Sequence, residues 1–314
     1  MKYIESFREG DRVAGVYLCK HKQSAVTKNG KSYDNVILQD KTGTVDAKIW
    51  DPNSQGIGEF EAMDYVDIMA EVTSFQGVLQ LNVKRVRKVQ EGEYDPADYL
   101  PVSEKDIPTM YQEFLGYVAK VKEPHLHALL ENLFVKDVVF AKEFQFHSAA
   151  KSVHHSFVGG LLEHTLSVVK LCEYYINTYP MLNADLLYAA AMCHDIGKVR
   201  ELSLFPENDY TDEGQLLGHI AMGSEMVHEQ VLKIPGFPVK LANELKHCIL
   251  AHHGELEYGS PKKPALMEAV ALNMADNTDA KMETMTEILK AAGENKDWLG
   301  YNRLFESNIR RSSQ

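Results

Sequence analysis

Two hydrophobic periods divide this chain. Between residues 11 and 89 apolar side chains recur at every second position; from about residue 109 onward they recur every three or four. A period of two sends alternate side chains to opposite faces of a strand, and a period near 3.6 draws one apolar stripe along a helix. A β domain followed by an α domain is the architecture these patterns permit, and 314 residues suffice for two separate cores.

In TVDAKIW (44–50), Val45, Ala47 and Ile49 face one way and Asp46, Lys48 and Trp50 the other. In VLQLNVKRV (78–86), Leu79, Leu81 and Val83 oppose Gln80, Asn82 and Lys84. Turn-forming stretches KNGK (28–31), DKTG (40–43) and DPNSQG (51–56) separate such runs. Five strands are predicted, over 11–20, 33–40, 44–50, 65–74 and 77–89, with a short helix near 57–63. That order, in fewer than 90 residues, is that of an OB-fold barrel. Residues 1–90 are therefore predicted as an all-β, OB-fold nucleic-acid-binding domain. On its polar face, Tyr33 and Trp50 beside Lys48, Lys84 and Arg87 suit base stacking and phosphate contact. The same aromatics would equally cap the barrel or pack on the second domain.

Residues 91–108 are acidic, hold three prolines and have no period, as befits a linker or a strap along the second domain. Residues 109–314 are predicted as an all-α helical bundle. The net charge of −12 is unevenly spread. Residues 1–90 hold 13 Lys+Arg against 12 Asp+Glu, leaving 20 against 33 for the rest, and the first segment ends in the basic VKRVRK (83–88). A near-neutral first part suits a polyanion; an acidic second part suits carboxylate ligands and divalent cations. The longest apolar runs are too short for a membrane span, and the start, MKYIESFREGDR, has no apolar signal region. Four dispersed cysteines without a CxxC pair point to reduced thiols and a cytoplasmic protein.

Within the helical part, LLYAAAMCHDIGKVREL (186–202) ends an apolar helix on His194-Asp195, with Gly197 as its expected stop. An imidazole beside a carboxylate is costly in a dry core unless paired or bound to a metal. Other helices repeat the feature. His164 shares a face with Leu161, Val168 and Leu171; His252 with Leu241, Leu245 and Cys248; Asp276 with Ala269, Leu272 and Asn273; His219 lies beside Leu216 and Gly223. His253 follows His252, and Gly254 ends that helix. A single histidine on an apolar face is usually a satisfied core residue. Five helices that each present His or Asp form a metal-binding inventory.

The succession His164, His194-Asp195 within HDIGK, His219, His252-His253-Gly254 and Asp276 within MADNTDA resembles the HD-domain metal-dependent phosphohydrolases, over about 150–285. That resemblance implies one metal on His164, His194, Asp195 and Asp276. It implies a second on His219 and His252 or His253, with Asp195 bridging; helical phase favours His252. An OB-like domain followed by such a domain resembles the YhaM-type 3′→5′ exoribonucleases across nearly the whole chain. The resemblance implies single-stranded RNA (or single-stranded DNA) as substrate, nucleoside 5′-monophosphates as products, and Mn²⁺ as cofactor. Imidazole and carboxylate ligands without a cysteine pair also suit Fe²⁺, Co²⁺ or Mg²⁺.

Asp195 and Lys198 are the catalytic candidates. Lys198 would offset phosphate charge, or else be a solvated charge at a helix end; Arg200 has the same candidacy. His154 and His155 are placed to reach the RNA or its leaving group, or to lie on the surface. An HD-type nucleotide phosphohydrolase or cyclic-dinucleotide phosphodiesterase with a regulatory OB domain is the alternative. A nucleic-acid-binding protein with a structural metal is a third reading, and a homo-oligomer is left open.

Overall fold

A computed structural model describes residues 2–27, 29–151, 155–293 and 297–313. The chain divides into two compact units, Met1–Val102 and Ser103–Gln314. The first holds β1 (Arg12–Val26), β2 (Ser32–Asp40), β3 (Gly43–Ile49), β4 (Tyr65–Phe75) and β5 (Val78–Lys88). They close into a barrel in the order β1-β2-β3-β5-β4. Closure is possible because β1 is long: residues 12–18 pair with β4 and 18–26 with β2, across a bulge between Cys19 and His21. β3 and β5 run parallel, with Ala47 opposite Leu81. The alternation read from the sequence fills the barrel: Val45, Ala47, Ile49, Leu81 and Val83 are buried. The period breaks at Lys84 and Arg85, both exposed, where a bulge against Met69 shifts the register and Val86 becomes the next core residue.

The helix expected near 57–63 does not form. Gly58 N–H donates to the Val86 carbonyl and Val86 N–H to that of Gly56, so this stretch is pinned to β5 as loop. Phe60 then buries its ring in the barrel core. The stretch expected as a linker packs on the barrel in its first part. Tyr94 stacks on Tyr65 at 3.7 Å, and Tyr99 and Leu100 are buried. The acidic, proline-rich composition masked three large apolar groups.

The second unit holds α1 (Ile107–Val118), α2 (Pro124–Glu131), α3 (Val138–Phe146), α4 (Gly160–Thr178), α5 (Ala184–Cys193), α6 (Lys198–Glu201), α7 (Asp212–Lys233), α8 (Val239–Leu250) and α9 (Met267–Ala291). It is not purely helical, because β6 (Trp298–Asn302) and β7 (Ser307–Arg310) pair as an antiparallel ribbon. None of the described helices is long and apolar enough to cross a membrane. The four cysteines are buried free thiols.

α5 organises this unit. Asn183 caps it, its side chain accepting from Leu186 N–H, and every residue from Leu186 to Cys193 is buried. A helix apolar all round must run through the centre of its domain, and α5 is packed by α4, α8 and α9. Its carboxyl end therefore delivers the next two residues, His194 and Asp195, into the interior.

Candidate metal centre and nucleic-acid face

α5 ends at Cys193, one residue before His194, and residues 194–197 form turns. Gly197 is not a left-handed cap, since its φ of −62° is helical. Its role is steric. A Cβ there would lie 2.0 Å from the His219 carbonyl oxygen and 2.7 Å from Gly223 N. The His194-Asp195 turn thus presses directly on α7. That helix breaks at Gly218 (φ 73°, ψ 154°), which turns His219 inward while Leu216 and Leu217 stay exposed. His219 therefore does not share a face with Leu216, as an unbroken helix would require.

Around Asp195 the predicted residues gather into two halves. Its Oδ2 lies 3.4 Å from both His164 Nε2 and His194 Nε2, and Asp276 Oδ1 lies 3.2 Å from His164 Nε2. Its Oδ1 lies 3.5 Å from His219 Nε2 and 3.6 Å from His252 Nε2. Ligand atoms of His219, His252 and His253 lie within 4.8 Å of one another, as do those of His164, His194 and Asp276. Both neighbouring histidines thus reach the second half. His252 is wholly buried, and His253 is partly so.

Hydrogen bonds at the far nitrogens set the ring chemistry. Nδ1–H of His194 donates to the Ala191 carbonyl (2.8 Å), that of His252 to Ile249 (2.6 Å) and that of His253 to Tyr258 (2.7 Å). His164 and His219 donate through Nδ1–H to Asp279 (2.7 Å) and Glu201 (3.0 Å). Carbonyl and carboxylate oxygens only accept, so in the neutral rings all five lone pairs reside on Nε2. Asp195 Oδ1, His219 Nε2 and His252 Nε2 are buried without any hydrogen bond. Three unsatisfied buried acceptors at one point would each cost about 1–3 kcal/mol. A cation satisfies them together, so the residues fit a divalent metal. The carboxyl ends of α5 and α8 also point their partial negative charge here, which favours a cation.

The electrostatics agree. Burial alone would strip the proton from His164, but Asp195, Asp276 and Asp279 hold its pKa well above the ordinary value. Burial works against the Asp195 charge, and Lys198 and His194 overcome it, holding that carboxyl well below its usual range. Burial pushes His252 down, leaving it neutral. Metal binding near neutral pH is expected to displace a proton from His164 and none from His252. Apparent affinity should then rise with pH until pH passes the raised pKa of His164. Calorimetric titration with Mn²⁺ in buffers of different ionisation heat checks this, and identical heats in all buffers would contradict it.

Lys198 is not a solvated charge. Its side chain is 13% exposed and its ammonium lies 2.6 Å from Asp195 Oδ2. Burial would lower its pKa, but Asp195 raises it, so it stays charged. Arg200 instead pairs with Glu229 at 3.3 Å on the surface. His155 is buried, its Nε2 3.0 Å from Asp279, rather than on the surface; His154 lies outside the described residues. Two acidic groups escaped the sequence reading, Asp279 and Glu201. Asp279 had a signal, since it stands three residues after Asp276 and so shares its helix face. Glu201 had none.

On the barrel, Tyr33 and Trp50 lie with ring centroids 5.2 Å apart, inclined by 31°. With Lys48, Phe75, Val78 and Gln80 they line a cleft of about 730 Å³. Trp50 is 48% exposed and Phe75, which the sequence reading passed over, 62%. Lys84 lies in a different groove with Arg12, Met69 and Glu71. Arg87 is held by Asp67 at 3.3 Å and Glu93 at 3.0 Å. Of the five residues predicted for this face, the cleft therefore unites Tyr33, Lys48 and Trp50. If bases stack there, Trp50→Ala should weaken single-strand binding by about 1–3 kcal/mol. Arg87→Ala should cost less, because two carboxylates already engage that guanidinium. Fluorescence anisotropy with labelled oligonucleotides measures both, and a larger loss for Arg87→Ala would move the binding face elsewhere.

Residues 161–281 match the family model described as HD domain, a span that contains the residues of both halves of the centre. Among solved structures, the chain is similar to the p204 HINb domain, at 21% identity and a TM-score of 0.23, over 28% of this chain. It spans about half of that structure, 46%. It is also similar to the second OB-fold domain of replication protein A from Methanococcus maripaludis, at 17% identity and a TM-score of 0.23, over 29% of this chain and 96% of that one.

Proposed function

We propose that the protein is a metal-dependent 3′→5′ exoribonuclease that degrades single-stranded RNA to nucleoside 5′-monophosphates, with Mn²⁺ as its metal. The observation that carries the hydrolytic part is Asp195, one carboxylate with an oxygen toward each half of a five-histidine centre. HD domains are typically metal-dependent phosphohydrolases, and the match of residues 161–281 to the HD-domain model supports that reading. His164, His194 and Asp276 would hold one ion, His219 with His252 or His253 a second, and Asp195 both. Two divalent ions, when bound, polarise a phosphodiester and acidify the attacking water.

The chain's own residues do the rest. The Nδ1–H bonds keep the imidazoles from rotating, so ligand geometry is set before substrate arrives. Lys198 neutralises Asp195 and brings a buried positive charge beside the place where phosphate charge grows. The aromatic cleft of the barrel supports a polymeric, single-stranded substrate, since successive bases stack on exposed rings whatever their sequence.

RNA labelled at its 5′ end and incubated with Mn²⁺ should give a descending ladder that stalls at stable stem-loops. Short labelled fragments without that ladder would indicate internal cutting or attack from the other end. Hydrolysis confined to mononucleotides or cyclic dinucleotides would instead establish a nucleotide phosphohydrolase or phosphodiesterase with a regulatory barrel.

A further inference from the structure

We infer that Asp279 and Glu201 are positioning residues, one for each half of the centre, which fix His164 and His219 as Nε2 donors. The inference rests on the metal-centre reading above and adds residues to it. The histidines divide by how their far nitrogen is anchored. His194 and His252 each donate Nδ1–H to the carbonyl three residues earlier, an acceptor exposed where α5 and α8 end. Their orientation follows from local chain geometry alone.

His164 and His219 have no such local acceptor. His164 lies inside α4, where backbone carbonyls are spent on the helix. Its Nδ1–H reaches Asp279 Oδ2 on α9 at 2.7 Å. Asp279 is held in turn: Ser167, one turn beyond His164 on α4, donates its hydroxyl to Oδ1, and His155 Nε2 lies 3.0 Å from Oδ2. His155 has φ of +58°, a conformation costly for a residue with a side chain, and is buried there. A Cβ on Gly160 would lie 2.0 Å from its carbonyl oxygen, so the chain is tightly packed around this anchor.

His219 follows the break at Gly218, where its own N–H has lost an intrahelical partner. One oxygen of Glu201 accepts both that N–H and the ring Nδ1–H, each at 3.0 Å. The same carboxylate caps the resumed helix and locks the ring against its own backbone. The fold thus brings an acidic side chain from another element to each histidine that the backbone cannot orient.

The test is Mn²⁺ binding, followed by the paramagnetic resonance of the free ion and by metal analysis of the desalted protein. Asp279→Ala should weaken one of two ions by about 10–100-fold and Glu201→Ala the other, while the double variant weakens both. Asp279→Asn and Glu201→Gln retain an acceptor oxygen in the same place, so they should fold as the wild type does and recover part of the affinity. Ring ¹H–¹⁵N spectra of the Zn²⁺-loaded protein should show Nδ1–H on His164 and His219, and lose that signature in the respective Ala variant. Wild-type affinity at both ions in all four single variants would overturn the positioning role alone. A wild-type protein that binds no divalent ion would bring down the metal-centre reading and this inference with it.

Discussion

Asp195→Ala is expected to abolish hydrolysis and strip both ions from the protein. Its two oxygens face opposite halves of the centre, at 3.4 Å from His164 and His194 and at 3.5–3.6 Å from His219 and His252. No single histidine has that reach, so the variant loses more than a ligand: it loses the link between the halves. Forfeiting about 4 kcal/mol of transition-state stabilisation corresponds to roughly a thousandfold in rate. The alanine also leaves the buried Lys198 ammonium unpaired, and breaking a buried ion pair costs about 3–5 kcal/mol. Asp195→Asn separates the two effects. Its amide oxygen can still accept from Lys198 but carries no counter-charge, so thermal unfolding should fall less than in the alanine variant, while bound metal and rate collapse equally in both. Full hydrolysis by Asp195→Asn, or wild-type activity that survives exhaustive chelation, would sink the metal mechanism.

What the sequence disclosed about this centre was its candidate ligands, and the reason is physical. A ligand must sit on a helix face that is otherwise apolar, so His164, His194, His252 and Asp276 stand out against Leu, Ala and Val at helical spacing. The groups that orient the ligands leave no such contrast. Glu201 looks like any charge in VREL, and its meaning appears only when α6 lies against the start of the resumed α7. His219 was found for a reason the structure does not support: its supposed neighbour Leu216 is 83% exposed, because Gly218 resets the helical phase between them. A glycine inside a helical pattern does not announce whether it is merely tolerated or marks a break.

The barrel shows the same division. Period-two alternation identifies strands and core faces, since each inward residue alternates with an outward one. It does not reveal a bulge, which inserts one residue and moves everything after it. Lys84 was expected beside Trp50 by counting along the strand; the bulge at 84–85 takes it to another groove. Arg87 was counted as an available cation, but Asp67 on β4 and Glu93 beyond β5 neutralise it. Phe75 went unremarked because it stands at the end of a strand, where alternation carries little information, yet it lines the aromatic cleft.

Gly197→Ala should damage the centre without touching a ligand. The backbone at Gly197 is ordinary helix, φ −62° and ψ −22°, so alanine carries no conformational penalty of its own. Space is the obstacle. The new Cβ would stand 2.0 Å from the His219 carbonyl oxygen, where ordinary contact begins at 3.4 Å, and that oxygen belongs to backbone that cannot swing aside. Relief requires α7 to retreat from the His194-Asp195 turn, which carries His219 Nε2 away from its present 3.5 Å approach to Asp195. Overpacking of this kind costs about 1–3 kcal/mol in stability, and a displacement near 1 Å at a reacting centre costs about a hundredfold in rate. Gly223 on the facing helix supplies the control. Its Cβ would meet Gly197 N at 3.4 Å and the Ile249 side chain at 3.7 Å, both ordinary contacts. Gly223→Ala should therefore keep near-native melting, metal affinity and rate, although it sits in the same crossing. Thermal melts and Mn²⁺ titrations of the two variants side by side decide the matter. A Gly197→Ala protein that melts, binds and cleaves like the wild type would show that α7 can give way without moving His219, and the second half of the centre would then not depend on this contact.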